Sequence, residues 1–442
     1  MHIKKITAHE ILASGGYPTV EVEVELESGT IGRASVPYGA SAGSHEATVL
    51  NDGDNSRYNG NGVLVAINNI INEIAPKLIG MNANNQRSID ELMIALDRTP
   101  NKARLGGNAI LAVSLAVAYA AANEKKVPLF KHIAETFQTG LDFSNNPNSG
   151  SNFDSSSGSN YDPLNLPSPM VVVIEGGKHA DETTDLQEFC ITAIGTESVK
   201  EKVRKAIESY HALKSILKEN NFSTNVGNEG AFAPNGLPSN EAPLNYIVEA
   251  IKKAGYNPGT DLAISIDAAA SEFYQDGKYN LAIENKSLTS QELIQYYKNW
   301  LEKYPIVTIE DMLDEDDWEN WPAMTAVAKE HNIENIGDDL TVTNIERLQK
   351  AIDLDAISAI LIKLNQIGSL SETVDCCMLA KKNNMMTVVS HRGGGETNNT
   401  AMVDLAVAVG SRFIKVGPTR GERVSKYNRL MEIERILTNG KV

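Results

Sequence analysis

The sequence predicts a β/α barrel preceded by an α+β amino-terminal domain, and three observations carry that prediction. In the second half of the chain, short apolar runs of strand length recur, each ending on a charged or ionisable side chain. Amphipathic helical stretches such as residues Ser290–Lys303, 344–352 and 371–382 separate them. Ahead of residue 138 the pattern differs: one strictly alternating strand is followed by helices. Strand, charged end and helix, repeated, describe a barrel with its polar site on the carboxyl rim.

From the amino end, Val20, Val22, Val24 and Leu26 share one face of a strand, and Thr19, Glu21, Glu23 and Glu25 share the other. That is a half-exposed antiparallel strand. Residues 27–29 make a turn, and 31–36 return as its partner. Residues 37–46 are rich in glycine, alanine and serine and read as a small loop, on its own more a surface connection than a lid able to close over a ligand. Helical periodicity follows over 63–79, 88–96 and 108–123. Residues 139–161 collapse to serine, asparagine, glycine and aspartate, a low-complexity insertion with too little apolar surface for a core. The expected organisation is therefore an amino-terminal domain over 1–138, the insertion over 139–161, and the barrel over 162–442.

The barrel runs are apolar nearly throughout, as strands buried on both faces must be. The first, Met170-Val-Val-Val-Ile174, leads into Glu175-Gly-Gly-Lys-His179, and a second ends the stretch Leu186-Gln187-Glu188-Phe-Cys-Ile-Thr. The later ones close on Asp267, on Glu310-Asp311, on Asp338-Asp339, on Lys363, on His391-Arg392 and around Lys415. Most read as parallel. Asn225-Val-Gly-Asn-Glu229-Gly is a glycine-rich turn around one carboxylate.

Composition narrows the function classes. With 57 acidic against 40 basic residues and a net charge of −17, the chain is a poor partner for nucleic acid or an anionic membrane. The three cysteines, Cys190, Cys376 and Cys377, make no CxxC pair and read as reduced core residues. The longest apolar run, 109–122, is shorter than the roughly 20 residues of a membrane span and reads as a buried helix. No hydrophobic signal region opens the sequence, so a cytoplasmic location is expected. Neither a GxGxxG nor a GxxxxGK[ST] pattern is present, which argues against a nucleotide cofactor.

Asp267, Glu310 and Asp338, at the ends of three successive strands, offer hard oxygen ligands of the kind Mg²⁺ takes. Lys363 lies inside an apolar run, where it either pairs with a rim acid and only stabilises the barrel, or has its pKa lowered by burial and neighbouring cations until a neutral amine can abstract a proton. Lys415 would remain charged and support that depression by repulsion. Glu188 and Glu229 are expected to share a site in which repulsion keeps one of them protonated, able to assist a departing hydroxide. His391-Arg392-Gly393-Gly-Gly is expected to cradle a phosphate.

Taken in order, Gly39-Ala-Ser41, Leu105-Gly-Gly-Asn-Ala-Ile-Leu, Gln187-Glu-Phe, Asn225-Val-Gly-Asn-Glu-Gly, Tyr304-Pro-Ile-Val-Thr-Ile-Glu-Asp, Gly337-Asp-Asp-Leu-Thr-Val-Thr-Asn, Lys363-Leu-Asn-Gln-Ile-Gly, Ser390-His-Arg and Glu422-Arg-Val-Ser-Lys-Tyr-Asn resemble the enolase family over nearly the whole chain. The resemblance implies a reversible dehydration of 2-phosphoglycerate to phosphoenolpyruvate, with two Mg²⁺ per active site and a dimer or higher homo-oligomer. It implies that Asp267, Glu310 and Asp338 bind the first ion and that Ser41 helps hold the second. It implies Lys363 as the base and Glu229, with Glu188 beside it, as the proton donor. Lys415, Gln187, His179, His391 and Arg392 would contact substrate. The chain departs from the family at Ala13-Ser-Gly15-Gly16-Tyr17, Ala42, Lys178, Asn228 and Met312, and Gly393 stands where a phosphate-binding serine is usual. Lys178 and the triple glycine motivate one rival expectation, and the 139–161 insertion another. One is a paralogue acting on a related phosphorylated or phosphonate acid; the other is a non-catalytic binding protein that docks through the insertion.

Overall fold

A computed structural model describes residues 1–39, 43, 45–141, 143 and 166–439. Ser41 and most of the 139–161 insertion lie outside the described residues. The amino-terminal sheet has three antiparallel strands, β1 (Ile3–Leu12), β2 (Pro18–Leu26) and β3 (Ile31–Ser35), in that order. In β2 the alternation acts as the sequence requires: Val20, Val22, Val24 and Leu26 are buried, and the glutamates between them are half-buried. Strand β1 is hidden in the sequence because its alternation fails. A register irregularity falls between Ile3 and Lys5, and Leu12 is exposed.

Helix Gly107–Lys125 crosses this sheet. A Cβ on Gly32 would stand 2.1 Å from the Ala120 nitrogen and 2.3 Å from the Ala116 carbonyl oxygen. Glycine on the strand and alanine on the helix are what let the two backbones touch. The alanine-rich run is thus a buried helix, and among the described residues no helix is long and apolar enough to cross a membrane. Cys190, Cys376 and Cys377 are buried and free, as read from their pattern.

The barrel comprises β4 (Ser168–Glu175), β5 (Glu188–Ala193), β6 (Leu262–Asp267), then, after the small sheet β7 (Tyr274–Gln275), β8 (Lys278–Leu281) and β9 (Lys286–Leu288), strands β10 (Ile306–Glu310), β11 (Glu334–Gly337), β12 (Ala359–Ile362), β13 (Met386–Ser390) and β14 (Phe413–Val416). It closes in the order β10-β11-β12-β13-β14-β4-β5-β6. Pairing is parallel except at β5, which runs antiparallel to both β4 and β6. The chain between β4 and β5 holds only a short 3-10 turn, Gly177–His179. Without a crossover helix a strand can only turn back along its predecessor. The reversal brings the first residue of β5, Glu188, to the rim where its neighbours end: Glu188 pairs in register with both Glu175 and Asp267.

Side chains alternate along each strand, so one set points into the barrel. Met170, Val172, Cys190, Ile336, Ala359, Leu361, Val388 and Phe413 form an apolar cluster distinct from the main core. Ser265 joins the hydroxyls of Thr192 and Thr308 at 2.7 Å each. Two positions further toward the rim from Cys190, Ser265, Thr308, Ile336, Leu361, Val388 and Phe413 come Glu188, Asp267, Glu310, Asp338, Lys363, Ser390 and Lys415. The strand period alone therefore delivers these side chains to one end of the barrel.

A buried polar lock joins the amino-terminal domain to the barrel. Asp90, on helix Gln86–Asp97, accepts hydrogen bonds from the Ser371 backbone N–H at 3.0 Å, the Ser371 hydroxyl at 2.6 Å and the Gln86 amide at 3.0 Å. Burial outweighs these donors and pushes the Asp90 pKa up from 3.8 to about 6. One turn away, Arg87 and Asp375 make a bidentate pair at 2.7 Å in a more exposed position. Asp90→Ala is expected to cost about 2–4 kcal/mol in denaturant unfolding, because it strands buried donors, whereas Asp375→Ala should cost under about 1 kcal/mol. A raised folded-state pKa stabilises most below pH 4 and loses its effect as the pH rises through 6. The stability margin of wild type over Asp90→Asn is therefore expected to widen as the pH falls from 7 to 5.

Candidate active site

A polar cavity of about 290 Å³ opens on the rim. Lys363, Lys415, Glu188, Glu229, Asp267, Asp338, His179, His391, Gln187 and Gly393 all line it. Of the other residues singled out in the sequence, Glu310 and Arg392 are not among its lining residues, Glu310 pairing with the lining Lys415 and Arg392 with Glu46, while Ser41 falls outside the described residues.

Register pairing sets Glu188, Asp267 and Glu310 side by side on β5, β6 and β10. The Lys415 ammonium, entering from β14, lies 2.8 Å from a carboxylate oxygen of each. Burial opposes its charge, but the three acids prevail and hold it protonated, its pKa well above the usual value. Lys363 lies 2.5 Å from Asp338 Oδ2. Burial, Arg392 and Lys415 push its pKa down, as the sequence led one to expect, yet Asp338 and Asp339 outweigh them and the net shift is upward. The expectation of a neutral Lys363 is thus corrected: here the acids keep it an ammonium.

Negative charge is in surplus. Burial and the neighbouring Asp267 drive the Glu310 pKa well up, and burial with Asp339 does the same at Asp311. Burial and Asp338 raise Asp339 to about 8. Asp311 also fixes the loop after β11, accepting from the backbone N–H of Asp338 at 2.9 Å and of Asp339 at 2.7 Å. Carboxylate oxygens of Asp311, Asp338 and Asp339 lie within 4.8 Å of one another. An all-oxygen set with unbalanced charge fits a hard divalent cation. The expected trio Asp267, Glu310 and Asp338 is gathered around the two lysines: Lys415 bridges the first two, and Lys363 holds the third.

Opposite in sign is the group around Glu229. His179 Nδ1 lies 3.1 Å from Glu188 and 3.6 Å from Glu229, and His391 Nε2 lies 3.0 Å from Glu229. Burial and mutual repulsion push Glu188 up, but Lys415 and His179 prevail and its pKa falls. Burial likewise opposes Glu229, and His391, His179 and Arg423 bring it well below the usual range. The expectation that repulsion keeps one of these acids protonated is therefore corrected, because flanking cations outweigh it. The proton sits on His179, which burial would discharge but Glu188 and Glu229 raise to about 9.

Glu175 was not singled out as a site residue, although it ends an apolar run as the others do. Fully buried at the end of β4, it accepts from the backbone N–H of Glu229 at 3.0 Å and of Ala231 at 2.8 Å, which fixes the Glu229 turn. Burial and Glu229 raise its pKa to about 8.

The His391-Arg392-Gly loop is put to mixed use. The Arg392 guanidinium meets Glu46 at 2.6 Å, both buried, and Glu46 also accepts from the Gly43 N–H at 2.9 Å. Gly395 accepts from the Tyr38 N–H at 2.7 Å, and a Cβ on Gly15 would stand 2.7 Å from the Gly394 carbonyl oxygen. Two of the three glycines thus dock the amino-terminal domain, and Gly393 alone lines the cavity. Lys178 pairs with Glu272 at the mouth, more than half exposed.

Fold and site together define a β/α barrel capped by an α+β domain, with acidic and basic side chains gathered in one cavity at the rim. Residues 163–442 match the family model for the enolase C-terminal TIM barrel domain, and residues 3–133 match that for the enolase N-terminal domain. The chain belongs to the enolase family of lyases.

A Cβ at Gly393 would stand 2.7 Å from Glu229 Oε1 and 2.8 Å from the His179 ring. Gly393→Ala is expected to destabilise the fold by about 1–3 kcal/mol through overpacking. It should also lower the His179 pKa from about 9 toward 6.5 as the carboxylates separate, a change an NMR pH titration would follow. A stable variant with an unmoved His179 titration would contradict the packing described.

Proposed function

We propose that the protein is a Mg²⁺-dependent hydro-lyase that interconverts 2-phosphoglycerate and phosphoenolpyruvate with loss of water. The observation that carries this reading is the meeting of Lys363 and Lys415, a surplus of carboxylates, and the Glu188–Glu229–His179 cluster in one cavity. Lys415 would receive the substrate carboxylate. Lys363 would take the proton from the carbon beside it, the C–H electron pair forming the new C=C bond as hydroxide leaves the next carbon. The cluster of His179, Glu188 and Glu229 would protonate that hydroxide to water. Gln187 and His391 would orient the substrate from the cavity wall. Asp267, Glu310 and Asp338 would hold one magnesium ion, and Ser41 would help hold a second. When bound, the ions supply positive charge that offsets the acids' hold on the Lys363 proton and the charge gathering on the substrate carboxylate. The reading includes a cytoplasmic location and a homodimeric or higher assembly.

Lys178 and Gly393, both on the cavity wall, motivate a second reading, in which the same enolisation acts on a related phosphorylated or phosphonate acid. Comparing turnover across such acids separates the two.

Phosphoenolpyruvate formation, followed by ultraviolet absorbance in excess Mg²⁺, is expected from the folded protein and should vanish on chelation; no turnover would reject the first reading. Lys363→Ala is expected to abolish exchange of the α-proton with solvent while leaving the circular dichroism spectrum unchanged. Exchange that persists in this variant would remove Lys363 as the base.

A further inference from the structure

We propose that Gln366 is a positioning residue whose side chain sets the orientation of Asp338, its own backbone being anchored to Ala47 of the amino-terminal domain. The proposal rests on the reading of Asp338 as a magnesium ligand and Lys363 as the base. Gln366 is buried, in the short helix Leu364–Ile367 that follows Lys363. Its amide nitrogen donates to Asp338 Oδ1 at 2.7 Å, while Asp338 Oδ2 meets the Lys363 ammonium at 2.5 Å. With both oxygens held, the carboxylate cannot turn without breaking a bond to a buried partner.

The other end of the amide is held one step back. Thr343 Oγ1 accepts from the Lys363 backbone N–H at 2.9 Å and donates to Gln366 Oε1 at 2.8 Å. A carboxylate only accepts, so the amide presents its nitrogen to Asp338 and its oxygen to Thr343, whose hydroxyl accepts from Lys363 and gives its one proton to Gln366. Val342 and Thr343 stand at φ of 42° and 54°, a region β-branched residues rarely enter. Strain of this kind persists where the surroundings hold a residue in place. The third link runs outward. The Gln366 carbonyl accepts from the Ala47 N–H at 2.7 Å, and the adjacent Glu46 holds Arg392 and Gly43. The Gln366 side chain therefore joins the strained turn after β11 to the carboxylate beside Lys363, and its backbone carbonyl anchors the same residue to Ala47 of the amino-terminal domain. Groups that orient metal ligands in this way are typically worth 10–100-fold in affinity or activity.

The test compares Gln366→Met, Thr343→Val and Thr343→Ser with wild type in the full-length protein. Calorimetric Mg²⁺ affinity, kcat and KM for 2-phosphoglycerate, and α-proton exchange are read together. Gln366→Met is expected to weaken Mg²⁺ binding and lower kcat by about 10–100-fold, with KM changing far less. Thr343→Val should move the same quantities in the same direction, and Thr343→Ser, which keeps the hydroxyl, should restore them. Mg²⁺ affinity and kcat of Gln366→Met within about twofold of wild type would overturn the proposal, as would equal losses in the valine and serine variants. If Gln366→Met does not fold, the Thr343 pair decides the matter with Gln366 in place. A wild type that neither binds Mg²⁺ nor turns over removes the proposed function and this inference with it. A wild type that does both, beside an unaffected Gln366→Met, removes the inference alone.

Discussion

A closed barrel leaves the last inward-facing side chain of each strand no destination but the space its neighbours also enter. Here that space receives Glu188, Asp267, Glu310, Asp338, Lys363 and Lys415, and the rest of the site is arranged around the charges they bring. Unpaired, such charges are driven to neutralise; paired, they can remain. Lys415 pairs three ways, Lys363 holds Asp338, and the remaining carboxylates respond by binding protons more tightly, with Asp339 at about 8.

The same balance divides the cavity. On the side of Asp311 and Asp339 acids outnumber cations, and the pKa values of Glu310, Asp311 and Asp339 rise. On the side of Glu229, two histidines and Arg423 lean on one carboxylate, and its pKa falls. A substrate that carries a carboxylate would meet cation-poor acids on one side and an ionised acid with a protonated histidine on the other. That contrast separates the proposed proton-accepting and proton-donating functions without either lysine having to do both.

Much of this was legible in the sequence wherever a rule of period applied. Apolar runs ending on charge located Asp267, Glu310, Asp338, Lys363 and Lys415 correctly at one rim. Glu188 was found as well, although it reaches the rim only because β5 runs backwards. The alternation of β2 was plain, and that of β1 was spoiled by an irregularity at its start. What could not be read was the sign of a sum. Whether Lys363 loses or keeps its proton depends on a 2.5 Å contact with Asp338 that Gln366 helps to set. The protonation of Glu229 depends on His179 and His391, which approach from other strands. Partners distant in sequence, such as Glu46 for Arg392, have no local signature at all.

The Arg392 loop illustrates how one residue can be claimed by two tasks. Its guanidinium neutralises Glu46 in a buried pair, and Glu46 in turn holds the Gly43 N–H of the loop over the rim. An anionic group that drew Arg392 away would leave Glu46 buried and uncompensated, a change that costs about 3–5 kcal/mol when one member of such a pair is simply removed. The anion must therefore be shared with Glu46, or Glu46 must move with its loop. Lys178, more than half exposed at the cavity mouth, has among the described residues the Glu272 pair to surrender, and exposed pairs are worth about 0–1 kcal/mol. Recruiting Lys178 to the remote anionic end of a substrate is consequently cheap, whereas recruiting Arg392 is bound up with the position of the amino-terminal domain. Docking of that domain and recognition of the anion are thus linked through a single buried carboxylate.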